Sequence, residues 1–276
     1  MGYGHDPCAG LGRCRLMPSS PVPEFAGNME LQAIPVCGFP EVLPGDSIAD
    51  LLVDALASRG FRLHVGDILV VKHKIVSKAE GRRVELATVK PSAVARRFAA
   101  KNGIDARLTE LALREAARVV RNRHVLITKT VHGLVCANSG VDLSNVDGGR
   151  SAVLLPLDPD RSAARIHRRL RKRTTLHIPV IIADSFGRAW REGLCEVAIG
   201  VAGMAPIHDY RGRLDTCGYK MHASEECVAD ELACVAGLVC GKNTSVPACI
   251  IRGYRYRRGK GSARQIVRPP ARDLFR

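Results

Sequence analysis

The chain has 276 residues, enough to bury a substantial core as one large domain or two smaller ones. Its apolar and charged content is ordinary for a globular protein, and no apolar run approaches the roughly 20 residues that a membrane span requires. Residues 1–28 are rich in Gly, Pro and Ser and lack the apolar centre of a secretory signal. We therefore expect residues 1–28 to form a disordered N-terminal extension. We also expect a cytoplasmic protein that makes no membrane contact.

The first half of the chain predicts short strands and helices in turn. A strand is expected at 31–36, and a helix follows from Ile48, with Asp46 or Ser47 as its N-cap and Gly60 at its end. The apolar run 68–71 predicts a buried strand. Two further helices are expected at 92–101 and 108–121.

The second half predicts more strands, separated by two long helices. Strands are expected at 124–128, 134–137, 152–155, 179–183, 196–201 and 246–251, and helices at 161–172 and 225–241. Beyond Gly253 the chain is polar and basic, and we expect a poorly ordered tail. Strands and helices do not alternate regularly enough for a doubly wound parallel sheet. The fold class predicted is therefore α+β with mixed sheets, and neither the Rossmann nor the P-loop motif is present.

The net charge of +15 is concentrated in two segments. Residues 165–173 contain six basic side chains, and residues 252–276 contain nine with a single acidic residue. Such patches attract nucleotides, phosphorylated cofactors or nucleic acid. Few aromatic residues interleave with these arginines, so stacking platforms for nucleic acid are sparse. A nucleic-acid-binding protein is therefore a weaker hypothesis than a protein that binds nucleotides or phosphorylated cofactors.

The ten cysteines show no Cys-x-x-Cys spacing. Five of them lie within apolar segments, namely Cys136, Cys195, Cys227, Cys234 and Cys249. Buried thiols in a reducing compartment are therefore favoured over zinc sites or disulfides.

Residues 72–82 follow a predicted buried strand and place lysines, a serine and a glycine in what we interpret as one turn. Ammonium groups and free backbone amides together form a reasonable phosphate-binding turn. A solvated basic turn is the alternative that the sequence alone leaves open.

Two aspartates each follow an apolar run and stand among small residues. Asp142 precedes Asn145 by three positions, and Asp184 precedes Ser185. If the two carboxylates converge, they would hold Mg²⁺ or Mn²⁺ against phosphate oxygens, because hard cations prefer oxygen ligands. The structural alternatives are a local turn at Asp142 and a helix N-cap at Asp184.

Six tracts together resemble the coenzyme F420-0:L-glutamate ligase family (F420-0 gamma-glutamyl ligase). They are IVSKAEGR at 75–82, VCANSGVD at 135–142, LPLDPD at 155–160, DSFGR at 184–188, DYRG at 209–212 and VADELA at 228–233. The similarity runs over about 34–253. It implies an unusual two-domain α+β ligase fold and an intertwined homodimer. The ligase domain would span residues 29–253, and its division into two subdomains stays open. Residues 254–276 would then be a separate basic tail, which we consider as a candidate for recognising an altered F420 precursor.

The resemblance implies a ligase that depends on GTP and on Mg²⁺ or Mn²⁺, with K⁺ as a further candidate. It would join L-glutamate to the carboxylate of coenzyme F420-0, or of a variant precursor, through an acyl phosphate, and later cycles would add γ-linked glutamates. A family member that binds F420-type ligands without catalysis is a third hypothesis. The intact Asp142 and Asp184 tracts argue against it.

The resemblance also implies roles for individual residues. Asp142, Asp184 and Lys78 correspond to catalytic positions, and Asp142, Asp184 and Ser185 to metal ligands. The nucleotide-binding positions correspond to Phe39, Pro40, Glu41, Val42, His73, Lys74, Lys78, Asn145, Leu238, Val239, Cys240, Gly241, Lys242, Asn243, Thr244 and Ser245.

Overall fold

A computed structural model describes residues 30–273 of the chain. The predicted N-terminal extension lies outside the described residues. Residues 209–226 group as a small compact unit, and residues 30–208 with 227–273 form the main unit. None of the helices described has the length and apolarity needed to cross a bilayer.

The regular elements of the described chain are mostly short. The helices are α1 (Ile48–Ala57), α2 (His73–Ala79), α3 (Ala93–Asn102), α4 (Ala106–Arg114), α5 (Pro159–Thr174) and α6 (Val228–Cys240). The strands are β1 (Gln32–Pro35), β2 (Ile68–Lys72), β3 (Arg83–Glu85), β4 (Ala116–Arg123), β5 (Val125–Thr130), β6 (Val135–Ala137), β7 (Ser151–Val153), β8 (Val180–Arg188), β9 (Arg191–Ala202), β10 (His208–Asp209), β11 (Glu225–Glu226) and β12 (Ala248–Arg252).

A mixed five-stranded sheet forms the centre of the main unit, in the order β1-β12-β2-β8-β9. Strands β2 and β8 run parallel, with Leu69 opposite Val180, and the other neighbours are antiparallel. Smaller sheets join β3 to β7 and β4 to β5 and β6. This combination of mixed sheets and helices confirms the predicted α+β class.

Helices cover both faces of the central sheet, and the strand residues alternate between the two cores. In β2, Leu69 and Val71 pack in the core that contains α1 and α5, whereas Ile68 and Val70 pack in the core that contains α6. Both faces are buried, which explains why β2 and β12 are almost continuously apolar. Burying each large aliphatic side chain stabilises the fold by about 1.5–3 kcal/mol.

Helices α1 and α5 pack side by side on one face and are linked at the surface by ion pairs. Ser47 caps α1 by accepting the Asp50 N–H, as the sequence predicted. Arg169 Nη2 lies 2.9 Å from Asp50 Oδ2, and Arg173 Nη1 lies 2.6 Å from Asp50 Oδ1. The hydrogen bond from Arg169, joined by those from Ser47 and Arg173, lowers the pKa of Asp50 to about 2.

Three predicted elements differ from the structure. The helix expected at 108–121 ends at Arg114, and the chain continues as strand β4, which pairs with β5. Glu115 is held at this transition, because its carboxylate accepts a 2.6 Å hydrogen bond from Arg82. The basic turn expected at 72–82 is mostly helix α2. The helix expected from residue 225 begins at Val228 instead, because residues 225–226 belong to β11.

The expectation of a poorly ordered segment beyond Gly253 is wrong for residues 254–273. Asp160, in the first turn of α5, accepts hydrogen bonds from the Ala263 N–H at 2.7 Å and from the Ser262 hydroxyl at 2.5 Å. The same carboxylate accepts the Val201 N–H of β9 at 2.9 Å. Ala263 is buried. This segment therefore packs against α5 and β9.

The cysteines described between residues 30 and 273 are free thiols. Burial, with the nearby charge of Asp184, raises the pKa of Cys136 to about 12, so this thiol stays protonated near neutral pH. The structure agrees with the prediction of buried thiols at Cys136 and Cys249. Cys195, Cys227 and Cys234 are only partly buried.

Candidate active site

A cavity of about 330 Å³ opens at the carboxyl end of β2, beside the middle of the parallel strand β8 and next to the start of α2. Its volume lies in the range of small-molecule sites. Its walls come from the segment before α1, from α2, from the turn after the 3₁₀ helix Asn138–Gly140 and from the turn after α6. Together with residues 183–185 of β8, these walls bring five distant parts of the sequence to one cavity.

Asp184 lies in the middle of β8, opposite Val197 of β9 and one residue beyond the last pair with β2. Its side chain is 12% exposed, and its Oδ1 lies 3.2 Å from Nε2 of the buried His73 at the start of α2. The Ser185 N–H donates to the same carboxylate oxygen at 2.7 Å. Asp184 is thus held within the strand and is not the N-cap of a following helix, which was the structural alternative.

Asp142 lines the cavity from the turn after the 3₁₀ helix Asn138–Gly140. Its Oδ1 accepts the Ser144 N–H at 2.7 Å, and its Oδ2 lies 2.8 Å from Lys74 Nζ. Burial acts to raise the pKa of this carboxyl. The hydrogen bonds from Lys74 and Ser144 act in the opposite direction and together outweigh burial, so the pKa lies below its usual value. Asp142 therefore makes the local turn that the sequence allowed and also faces the cavity as a carboxylate.

Four lysines line the cavity, and each ammonium group lies next to a carboxylate oxygen. Lys72 is 2.5 Å from Glu196, Lys74 is 2.8 Å from Asp142, Lys78 is 2.7 Å from Glu41, and Lys242 is 3.6 Å from Glu196. Such pairing holds flexible lysine side chains at the walls. A polyanion entering the cavity would find four cations already in position.

Asn145 links the Asp142 turn to the turn after α6. Its backbone has a positive φ of 57°, a conformation that asparagine tolerates better than most residues. Its side-chain amide donates to the Lys242 carbonyl oxygen at 3.0 Å. This bond joins two walls of the cavity.

The cavity supplies donors that suit a hard divalent cation. Asp142, Asp184 and Ser185 provide carboxylate and hydroxyl oxygens, which Mg²⁺ and Mn²⁺ prefer over nitrogen or sulfur. Among residues 30–273 there is no cluster of three or more His, Cys, Asp or Glu side chains arranged for a metal. A cation bound here would complete its coordination shell with water molecules or substrate oxygens, as is usual for Mg²⁺ held with a nucleotide phosphate.

The comparison with known proteins identifies the family. A family model described as F420-0:Gamma-glutamyl ligase matches residues 38–253, most of the chain. The chain belongs to this family. The resemblance deduced from the six sequence tracts is therefore confirmed.

Curated relatives agree with the family match. The chain is similar to the Coenzyme F420:L-glutamate ligase of Methanothermobacter thermautotrophicus, with 44% identity over 90% of this chain and 100% of the relative. Proteins of the same name from Methanopyrus kandleri and Archaeoglobus fulgidus are 40% and 38% identical, over 86% and 90% of this chain and 94% and 97% of their own lengths.

Most site residues inferred from the family resemblance line this one cavity. They are Phe39, Pro40, Glu41, Val42, His73, Lys74, Lys78, Asp142, Asn145, Asp184, Ser185, Cys240, Gly241, Lys242, Thr244 and Ser245. Three others do not line it. Leu238 is 86% exposed, Val239 packs against the core that α6 covers, and Asn243 is exposed. Helical spacing turns Leu238 and Val239 away from the cavity.

Sequence reasoning missed Glu196, and it included Lys72 only as one of the lysines of the 72–82 turn, without a role of its own. Lys72 is the last residue of the apolar strand β2, so its position at a strand end was a usable signal. Glu196 is the first residue of a predicted strand, a position where a carboxylate commonly faces solvent, so no local signal marked it as buried. Here it is only 8% exposed.

Proposed function

We propose that this protein is a GTP-dependent ligase that joins L-glutamate to the carboxylate of coenzyme F420-0 or of a variant precursor. Membership of the F420-0:Gamma-glutamyl ligase family supports a ligase that attaches glutamate in coenzyme F420 biosynthesis. One structural observation supports the nucleotide dependence. A single cavity, at the point where β2 ends beside β8, gathers two acidic side chains, Asp142 and Asp184, with four lysines.

The chemistry explains why a nucleotide is needed. A carboxylate is a poor electrophile, because its negative charge repels an attacking amine. In the proposed reaction, a carboxylate oxygen of the precursor attacks the γ-phosphorus of GTP, and GDP leaves. The glutamate amine then attacks the acyl carbon, loses a proton, and expels inorganic phosphate as the amide forms. Positioning and charge neutralisation account for most catalysis in such phosphoryl transfers.

The residues of the cavity fit these needs. Lys74, Lys78 and Lys242 would neutralise the phosphate oxygens by exchanging their present carboxylate partners for the triphosphate. Asp142, Asp184 and Ser185 would hold Mg²⁺ or Mn²⁺. The bound cation would supply charge stabilisation at the transferring phosphoryl group. K⁺ is proposed as an additional monovalent partner.

We also propose that the protein acts as a homodimer. Strand β4 supports this proposal because almost its whole length is exposed, including Val119 at 41% and Val120 at 44%. Exposed apolar strand residues favour pairing with another chain. Light scattering of the purified protein should give about twice the 29.9 kDa chain mass, and a monomer at micromolar concentration would contradict the proposal.

The ligase proposal is tested by mass spectrometry of the reaction products. Purified protein with GTP, Mn²⁺, L-glutamate and F420-0 should yield species that grow by one glutamyl residue at a time, with GDP formed in proportion. Reactions lacking GTP, lacking glutamate, or containing a chelator serve as controls.

Other outcomes distinguish the alternative functions. Binding of the precursor without GDP formation would favour a non-catalytic family member. Tight, salt-sensitive nucleic-acid binding without any ligase product would favour a protein that acts through its basic segments. Either result would contradict the ligase proposal.

A further inference from the structure

Glu196 lies just outside the cavity and contacts three residues that line it. Its Oε1 lies 2.5 Å from Lys72 Nζ and accepts the Ser185 hydroxyl hydrogen at 2.6 Å. Lys242 Nζ is 3.6 Å from the same oxygen and also donates to the Ser185 hydroxyl oxygen. One buried carboxylate thus gathers two ammonium groups and one hydroxyl at the edge of the proposed nucleotide site.

The sheet explains how these side chains converge. Lys72 ends β2, Ser185 is on β8, and Glu196 faces Ser185 across the β8–β9 pair. The alternation of the strands directs all three to the sheet face that α6 covers. Asp184, one residue earlier on β8, is directed to the other face, where His73 lies.

The packing around Glu196 is specific. Gly237 of α6 lies directly against it, and a Cβ at that position would come 2.5 Å from Glu196 Cγ. The second carboxylate oxygen, Oε2, is buried and has no hydrogen-bond partner among residues 30–273. An unpaired buried oxygen costs stability, and a buried ion pair adds little of its own. Stability alone therefore does not account for a glutamate at this position.

We propose that Glu196 is a positioning residue of the nucleotide site. It holds Lys72 and the Ser185 hydroxyl in place. It also keeps Lys242 near the cavity until the ammonium group of that lysine binds a nucleoside triphosphate. The inference rests on the proposed GTP-dependent function. It assigns to this carboxylate a role that acts through its three neighbours.

The different exposure of the two lysines indicates that only one of them moves when a nucleotide binds. Lys72 is 19% exposed and in close contact with Glu196, so it stays in place. Lys242 is 64% exposed and more distant, so it is the group that a triphosphate can attract. Since the Ser185 hydroxyl donates to Glu196, its oxygen is kept as an acceptor, which Lys242 Nζ now occupies. Transfer of that ammonium group to a triphosphate would leave the oxygen lone pairs for a cation.

The test compares Glu196→Gln with Glu192→Gln, a matched change at an exposed glutamate on the same strand. Affinity for a fluorescent GTP analogue with Mn²⁺, kcat, the KM for glutamate and Tm are measured for each. In Glu196→Gln we expect kcat and analogue affinity to fall by about tenfold or more, because charge-assisted contacts are lost. The KM for glutamate should stay within about twofold of the wild-type value, since a purely structural defect would change all three constants.

A double-mutant cycle with Lys72→Met adds a readout that a general loss of stability would not produce. The double variant should lose little more than the more impaired single variant, because both changes remove the same interaction. If Glu196→Gln fails to fold, Glu196→Asp replaces it. The shorter side chain keeps the charge but withdraws it from Lys72 and Ser185, and kcat should still fall.

Two outcomes would overturn the proposal, and they are distinguishable. If the wild-type protein binds and consumes GTP but Glu196→Gln, or Glu196→Asp in its place, matches it within about twofold, the role of Glu196 is refuted and the ligase function stands. If the wild-type protein binds no GTP analogue at all, the proposed function and this inference both fail.

Discussion

Replacing Asp184 by asparagine should lower kcat by about 1,000-fold or more while leaving the folded structure intact. A carboxylate that holds a divalent cation against a transferring phosphoryl group contributes several kcal/mol of charge stabilisation, and each 1.4 kcal/mol corresponds to a factor of ten in rate. Asparagine has nearly the same shape but no charge. Its amide oxygen can still accept the Ser185 N–H that Asp184 accepts at 2.7 Å.

Asp54→Asn provides the control for this prediction. Asp54 is an exposed carboxylate on α1, paired with Arg173 at 2.9 Å and outside the cavity lining. Exposed ion pairs contribute little, about 0–1 kcal/mol, so this variant should retain wild-type kcat and Tm. Wild-type turnover by Asp184→Asn, measured as GDP release with glutamate and F420-0, would contradict its role as a metal ligand.

Gly200→Ala should destabilise the protein by about 3 kcal/mol, the upper end of the usual range for overpacking a core. Gly200 is in β9, where the first turn of α5 crosses the sheet. A Cβ at this position would lie 2.4 Å from the Pro159 carbonyl oxygen and 2.6 Å from its carbon. Both atoms belong to the backbone, so relief requires the helix to move away from the strand.

Gly187→Ala is the matched control in the neighbouring strand β8. A Cβ at Gly187 would meet only a leucine methyl at 3.9 Å, an ordinary van der Waals contact. Chemical denaturation should therefore give a free energy of unfolding close to the wild-type value for this variant. Equal stabilities for the two alanine variants would show that α5 does not pack on β9 as closely as described.

Local sequence signals predicted the central elements of the fold well. Strand β2 and helix α1 followed from an apolar run and from helical spacing with a serine cap. The four apolar residues before Asp184 correctly placed it on a strand, although β8 continues to Arg188 and Asp184 is therefore in the middle of that strand rather than at its end. Those signals are local, so no knowledge of the partner strands was needed.

Other parts of the molecule depend on tertiary contacts that a local pattern does not contain. Residues 116–121 have helix-compatible spacing, but Val119 and Val120 suit a strand equally well, and pairing with β5 decides between the two. Glu196 resembles any surface glutamate until β8 and α6 enclose it. The resemblance to the ligase family located most of the cavity, since family motifs carry tertiary information that periodicity lacks.

The attachment of the C-terminal segment to Asp160 determines how its arginines should be studied. Cutting the chain after Gly253 would leave that carboxylate without the Ser262 and Ala263 donors and would remove the buried Ala263 methyl from the core. A shortened protein would therefore be weakened at α5 and β9 whatever the arginines recognise. Charge-neutralising changes at exposed positions such as Arg255 and Arg268 keep the anchor and alter the surface alone.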